Sequence, residues 1–193
     1  MHTKAIADWF LGHQTTTNPT PTVTNMKLQK LVYLAESCFG SLYNTSLIDD
    51  SIQAWDHGPA VKRLYGIFKS SGSDPIPVPS ETPDLPDDVV EVLESVWETF
   101  GSMTAWQLRK LTHEVGPYED HYQKDARNID IPLSEVHAAW PDFIEVGAAT
   151  HHKVPSSVVR RMKQLAATAK VPETVAVDVD QLMADYHAFA PSR

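Results

Sequence analysis

Residues 25–42 constrain this chain more than any other stretch. Leu28, Leu31, Val32, Ala35, Cys38, Phe39 and Leu42 recur at the three- and four-residue steps of an α-helix and share one face. Lys27, Lys30 and Glu36 lie off that stripe, and Thr24 or Asn25 can cap the start. At 1.5 Å per residue the helix is ~27 Å long, enough to be the central packing element.

Other segments read as helices around it. Ala5, Ile6, Trp9 and Phe10 form a short apolar stripe that ends at Gly12. The clearest pattern is Val89, Val92, Leu93, Val96, Trp97 and Phe100, with Gly101 as an expected left-handed stop. Thr104 and Gln107 fit a capping box for a helix burying Leu108 and Leu111, which Gly116-Pro117 breaks. Val136, Ala139, Trp140, Phe143 and Ile144 mark a further helix that Pro141 kinks or splits. Trp9, Trp97 and Trp140 lie in apolar stripes and are expected in the core, whereas Trp106 lies off the Leu108/Leu111 side.

Between these, Ile52-Gln53-Ala54-Trp55 alternates like a short strand or hairpin arm. Pro59 is expected to open a helix burying Val61, Leu64, Tyr65 and Phe68. Five prolines from Pro75 to Pro86 exclude regular structure there. Beyond His151 the texture changes. Lys153, Arg160, Arg161, Lys163 and Lys170 surround one helical pattern, 175–179 alternates like a strand, and Leu182, Met183, Tyr186 and Phe189 suit a last helix. The expected fold is mainly α, a multi-helix orthogonal globule with at most a short strand or hairpin near residues 52–55. Its expected division is 1–150 as the principal domain and 151–193 as a helical extension packed on it.

The chemistry the sequence offers is sparse. A chain of 193 residues with 42% hydrophobic content can bury roughly 70% of the surface it exposes unfolded, so it needs no staples. Its single cysteine, Cys38, excludes an internal disulfide, favours a reducing setting and suits apolar packing. There is no Gly-x-Ser-x-Gly elbow, and the eight glycines are scattered singly rather than gathered in a phosphate loop. Nine histidines include no pair at metal-ligand spacing on one helix face. No apolar run approaches the ~20 residues that cross a bilayer. A net charge of −9 argues against general affinity for nucleic acid and suits a basic protein partner.

One ordered set of motifs is specific. Met26-Lys27-Leu28-Gln29-Lys30-Leu31-Val32-Tyr33-Leu34-Ala35 is followed by Ala54-Trp55-Asp56-His57-Gly58-Pro59-Ala60-Val61. Then come Trp97 to Gly101, Thr104-Ala105 with Leu108, Leu111-Thr112-His113, Gly116-Pro117-Tyr118 and Ile131-Pro132. In this order and spacing, over about residues 4–145, the chain resembles the Panacea, or SocA-like, antitoxin domain of bacterial and phage toxin–antitoxin operons. Tyr118 stands where the family often has Trp, which keeps an aromatic. The resemblance implies a cytoplasmic, mainly helical protein that is not an enzyme and takes no cofactor or metal. It implies that the partner is a cognate toxin encoded in the same operon, neutralised by direct binding, or else handed to a protease. The family is paired with unrelated toxins, so the toxin's own activity is not implied.

The residues expected to meet the partner are Lys27, Lys30, Trp55, Asp56, His57, Gly58 and His113. Two other classes stay open at this point. A small metal-dependent hydrolase would use His57, His113 and Glu114, and a DNA-binding repressor would use the basic helix from 153 to 170. The oligomeric state is not encoded in any motif.

Overall fold

The computed structural model describes residues 2–14, 22–126 and 128–150 of the chain, and for residues 147–150 the backbone alone. The expected basic helix, strand and final helix beyond His151 lie outside the described residues. Within them the fold is mainly α, with one small antiparallel sheet.

The central element is α2, Asn25–Tyr43. Thr24 caps it by accepting the Lys27 N–H, and Asn44 ends it in the left-handed conformation that Asn tolerates, its N–H returning to Gly40 O. Packed around α2 are α1 (Thr3–His13), α4 (Asp87–Phe100), α5 (Ala105–Glu114), α7 (Leu133–Ala138) and α8 (Trp140–Thr150). Two shorter helices complete the set, α3 (Lys62–Ile67), which leads into a 3₁₀ turn at Lys69–Ser71, and α6 (Tyr118–His121). With neighbours on every side, α2 has no solvent face over most of its length. Lys27, Lys30 and Glu36, expected off the buried stripe, are 0%, 1% and 0% exposed.

Each of these buried ionisable groups is matched to a polar backbone partner, as burial requires. The Glu36 carboxylate accepts the N–H groups of Leu47 and Ile48, both at 2.9 Å, and lies 2.7 Å from His137 Nε2. The His137 ring lies across Gly40, where any Cβ would collide with it. Lys27 Nζ donates to Gly101 O at 2.6 Å and sits 5.6 Å from the Trp97 ring. That contact explains why α4 ends differently from expectation. Gly101 is right-handed, with φ −61°, because a buried cation at the helix C-terminus satisfies the terminal carbonyl directly.

The capping box of α5 forms as expected, with Thr104 Oγ1 accepting the Gln107 N–H and Gln107 Oε1 accepting the Thr104 N–H. Pro141 splits the last pattern into α7 and α8 and sits in the first turn of α8, where its missing N–H is harmless. Trp9 and Trp140 are buried and Trp106 is exposed; Trp97 is only half-buried, at the edge of the core.

The sheet positions the site. Strands β1 (Ile52–Trp55), β2 (Gly58–Ala60) and β3 (Asp130–Ile131) run in the order β2-β1-β3. Trp55 pairs with Gly58 and Gln53 with Ala60, so Asp56 and His57 form a two-residue hairpin loop. Pro59 therefore lies in a strand and does not open a helix. Gln29 and Lys30 of α2 hold the returning strand, Gln29 Oε1 taking the Val61 N–H at 2.8 Å and Lys30 Nζ donating to Pro59 O at 2.7 Å. Helix α3 starts only after that anchorage. It buries Leu64 behind the buried Val61, leaving Tyr65 exposed and Phe68 half-buried.

Candidate functional site

The hairpin turn is exposed at Asp56 and His57 and fixed from below and from the side. Below it is Lys30, and to the side are α5 and α6. Tyr118, the first residue of α6, donates its hydroxyl to Trp55 O at 2.7 Å. Tyr122, one turn on, donates to Asp56 Oδ1 at 2.9 Å, and the two tyrosine rings stack at 5.4 Å. Arg109 of α5 reaches Asp56 O through Nη2 at 3.3 Å. His113, one turn further along α5, lies against the Tyr118 ring at 4.2 Å. The Trp55 ring meets Tyr65 edge-on at 5.1 Å, and its indole N–H goes to Gln53 Oε1.

Asp56, Arg109, His113, Tyr118, Glu119 and Tyr122 enclose a cleft of about 360 Å³. Gly58 lets the turn pack closely beside it. Its φ of +92° is one that L side chains rarely adopt, and a Cβ would lie 2.8 Å from Lys30 Nζ and 3.0 Å from His113 Nε2. Two nitrogens thus crowd the space that a side chain at residue 58 would need.

The electrostatics follow from that crowding. Burial, reinforced by the Arg109 charge, pushes the Lys30 ammonium well below its ordinary value. Burial, then Arg109 and Lys30, lowers His113 to about 4, so the imidazole is neutral at pH 7. The His57 carbonyl lies near enough to favour the protonated ring, but it does not complete a hydrogen bond to Nε2. Burial raises Tyr118 to about 12, and the bond to Asp56 raises Tyr122.

The expected partner-facing residues separate into two groups. Trp55, Asp56, His57, Gly58 and His113 come together at the turn and the cleft. Lys30 is there too, but wholly beneath the surface. Lys27 lies at the far end of α4, bonded to Gly101, and its buried side chain offers no contact surface. The sequence reading missed Arg109, Tyr118 and Tyr122 as site residues. The signal was the helical step: Trp106, Arg109 and His113 share a face of α5, as Tyr118 and Tyr122 do around α6. Among the described residues no three His, Cys, Asp or Glu side chains are grouped so as to hold a metal ion, and His57, His113 and Glu114 form no such set. No described helix is long and apolar enough to cross a membrane.

These features define a helical domain that displays a clamped hairpin turn beside a polar cleft. Residues 28–119 match the family described as antitoxin SocA-like, Panacea domain. The matched stretch runs from α2 through the start of α6; β3, α7 and α8 lie beyond it. No curated protein and no solved structure matches the chain.

Proposed function

We propose that this protein is a non-enzymatic antitoxin that neutralises a toxin encoded beside it by binding the toxin directly. The observation that supports this reading is where the family match falls. The matched residues include Lys30, the whole 55–58 turn, Arg109, His113 and Tyr118, which is the entire turn-and-cleft assembly apart from Tyr122. A rigid, exposed turn ordered by buried polar bonds suits recognition, because little conformational freedom is lost on docking. The contact patch comprises Trp55, Asp56, His57 and Gly58, with His113 and the α5 face beside them. A stable complex needs about 800 Å² on each partner, more than the turn supplies, so exposed Trp106, which lies against Arg109, and Tyr65, which lies against Trp55, extend the patch.

The test is co-expression with the neighbouring gene product. Growth rescue, and a complex that survives size-exclusion chromatography with toxin abundance unchanged, support direct masking. Rescue accompanied by protease-dependent loss of the toxin favours the adaptor alternative. A toxin that stays fully active and forms no complex overturns the proposal.

A further inference from the structure

Arg109 is a half-buried cation on the wall of the cleft. It makes no ion pair among the described residues, whereas Arg63 is gripped by Asp49 and Asp50 at 3.0 and 2.6 Å. Its one hydrogen bond, to Asp56 O, is long at 3.3 Å, and its face rests on Trp106 at 4.8 Å. Its Nε and the Nε2 of His113 are both shut off from water and have no hydrogen-bond partner. Unmet buried polar atoms of this kind are costly and rare in folded proteins. Lys30 Nζ lies behind the turn, committed to the Pro59 carbonyl.

We propose that the cleft formed by Arg109, His113 and the Asp56–Gly58 turn is the receptor for a carboxylate side chain, an Asp or Glu presented by the partner protein. The partner's identity as a toxin rests on the antitoxin reading; the chemistry of the site does not. A carboxylate matches the planar guanidinium fork at its Nη groups, with the His113 ring forming the wall beside it. Trp106 stacks on the guanidinium and holds the fork in place, so less side-chain freedom is lost on pairing.

The two acidic residues of the cleft do not reverse this assignment. Asp56 and Glu119 are exposed, so water screens them, and the Asp56 carboxylate already accepts the Tyr122 hydroxyl. A cation entering instead would face Arg109, whose charge is permanent. A phosphate carries more negative charge than a carboxylate and is repelled more strongly by Asp56 and Glu119.

The site is tested first without the toxin. Sodium acetate is titrated into the full-length chain while the Arg109 Nε–H and His113 ring resonances are followed by NMR. Sodium chloride, inorganic phosphate and methylammonium chloride at matched ionic strength form the other arms. A saturable acetate response that Arg109→Gln removes supports the proposal. A chloride response equal to that of acetate, or tighter phosphate or methylammonium binding, overturns it. Should Arg109→Gln fail to fold, Arg109→Lys keeps the charge, drops the fork and is expected to weaken acetate binding.

The second measurement uses the neighbouring gene product. Arg109→Glu is expected to weaken its binding roughly 100-fold, as loss of a desolvated charge pair does. Lys110→Glu, an exposed neighbour on the same helix, is expected to change it less than about threefold. If Arg109→Glu binds as tightly as wild type, the carboxylate receptor is wrong and the antitoxin reading stands. If the wild-type chain binds no toxin, the antitoxin reading fails and the acetate titration still decides the site.

Discussion

Lys30 and His113 approach Gly58 from two different helices, and each places a nitrogen within about one contact distance of where that glycine's side chain would begin. This relationship ties the turn to the core. Gly58→Ala is therefore expected to be severe, since it combines a left-handed non-glycine residue with a collision against two buried nitrogens. The first costs about 1–2 kcal/mol and the second about 1–3 kcal/mol. At roughly 2–4 °C per kcal/mol, the melting temperature is expected to fall on the order of 10 °C. A melting curve within 2 °C of wild type would contradict the packing described.

The buried ammonium of Lys30 makes stability depend on pH. Its folded-state value is depressed below that of the unfolded chain, so between the two values the unfolded state binds more protons. The resulting destabilisation is present at neutral pH and fades as pH rises toward the ordinary lysine value near 10.5. Lys30→Met removes the titration, although it orphans the Pro59 carbonyl by a fixed amount at every pH. The melting temperature of Lys30→Met minus that of wild type is expected to be most positive near pH 7 and to shrink steadily toward pH 10. A difference that is flat across that range would show that Lys30 is not desolvated.

His113 gives the same sign in a lower window. Its ring is held neutral down to about pH 4, while an unfolded histidine titrates near 6.5. Stability is therefore present above the unfolded value and lost as pH falls from about 6.5 toward 4. His113→Gln should flatten that part of the curve and leave the carboxylate-driven loss below pH 4 in place. Denaturant midpoints measured at half-unit pH intervals check this, and a wild-type curve that is flat from pH 6.5 to 4.5 refutes it.

The residues behind these effects show what the sequence could and could not disclose. The α4 stripe and the Thr104–Gln107 box were legible because they are local: period and capping chemistry act within a few residues. The hairpin arm at Ile52–Trp55 was legible from alternation, and the partner strand was not, because Gly58-Pro59-Ala60 is a strand only through pairing with it. Burial of Lys27, Lys30 and Glu36 was hidden for a related reason. Helical periodicity identifies the most apolar face, but only the number of neighbours decides whether the other faces see water. The cleft itself assembles residues from 56, 109 and 122, and nothing short of the tertiary fold brings these together.

Glu36 provides a test of the core that is independent of the cleft. Its carboxylate takes the Leu47 and Ile48 N–H groups and faces His137, joining α2 to the connection before β1 and to α7. Glu36→Ala strands two buried donors and removes the carboxylate bonded to them, a loss expected at about 3–5 kcal/mol. Hydrogen exchange locates the damage: the Leu47 and Ile48 amides are expected to lose protection before those of α4. Retained protection at both amides would mean that the carboxylate is not their acceptor.

Trp106 should behave in the opposite way, and the contrast separates packing from recognition. At 64% exposed it buries little on folding, and its described ring contact is with the Arg109 guanidinium. An exposed cation–π contact contributes about 0.5–1 kcal/mol, so Trp106→Ala is expected to shift the melting temperature by only a few degrees. In binding to the neighbouring gene product the same substitution is expected to cost much more, about 2 kcal/mol or roughly 30-fold. It removes a large aromatic anchor and also frees the guanidinium that the anchor holds. Trp106→Phe keeps a flat ring against Arg109 and should recover most of that loss. Full-strength binding by Trp106→Ala would remove the α5 face from the recognition surface and leave the hairpin turn alone.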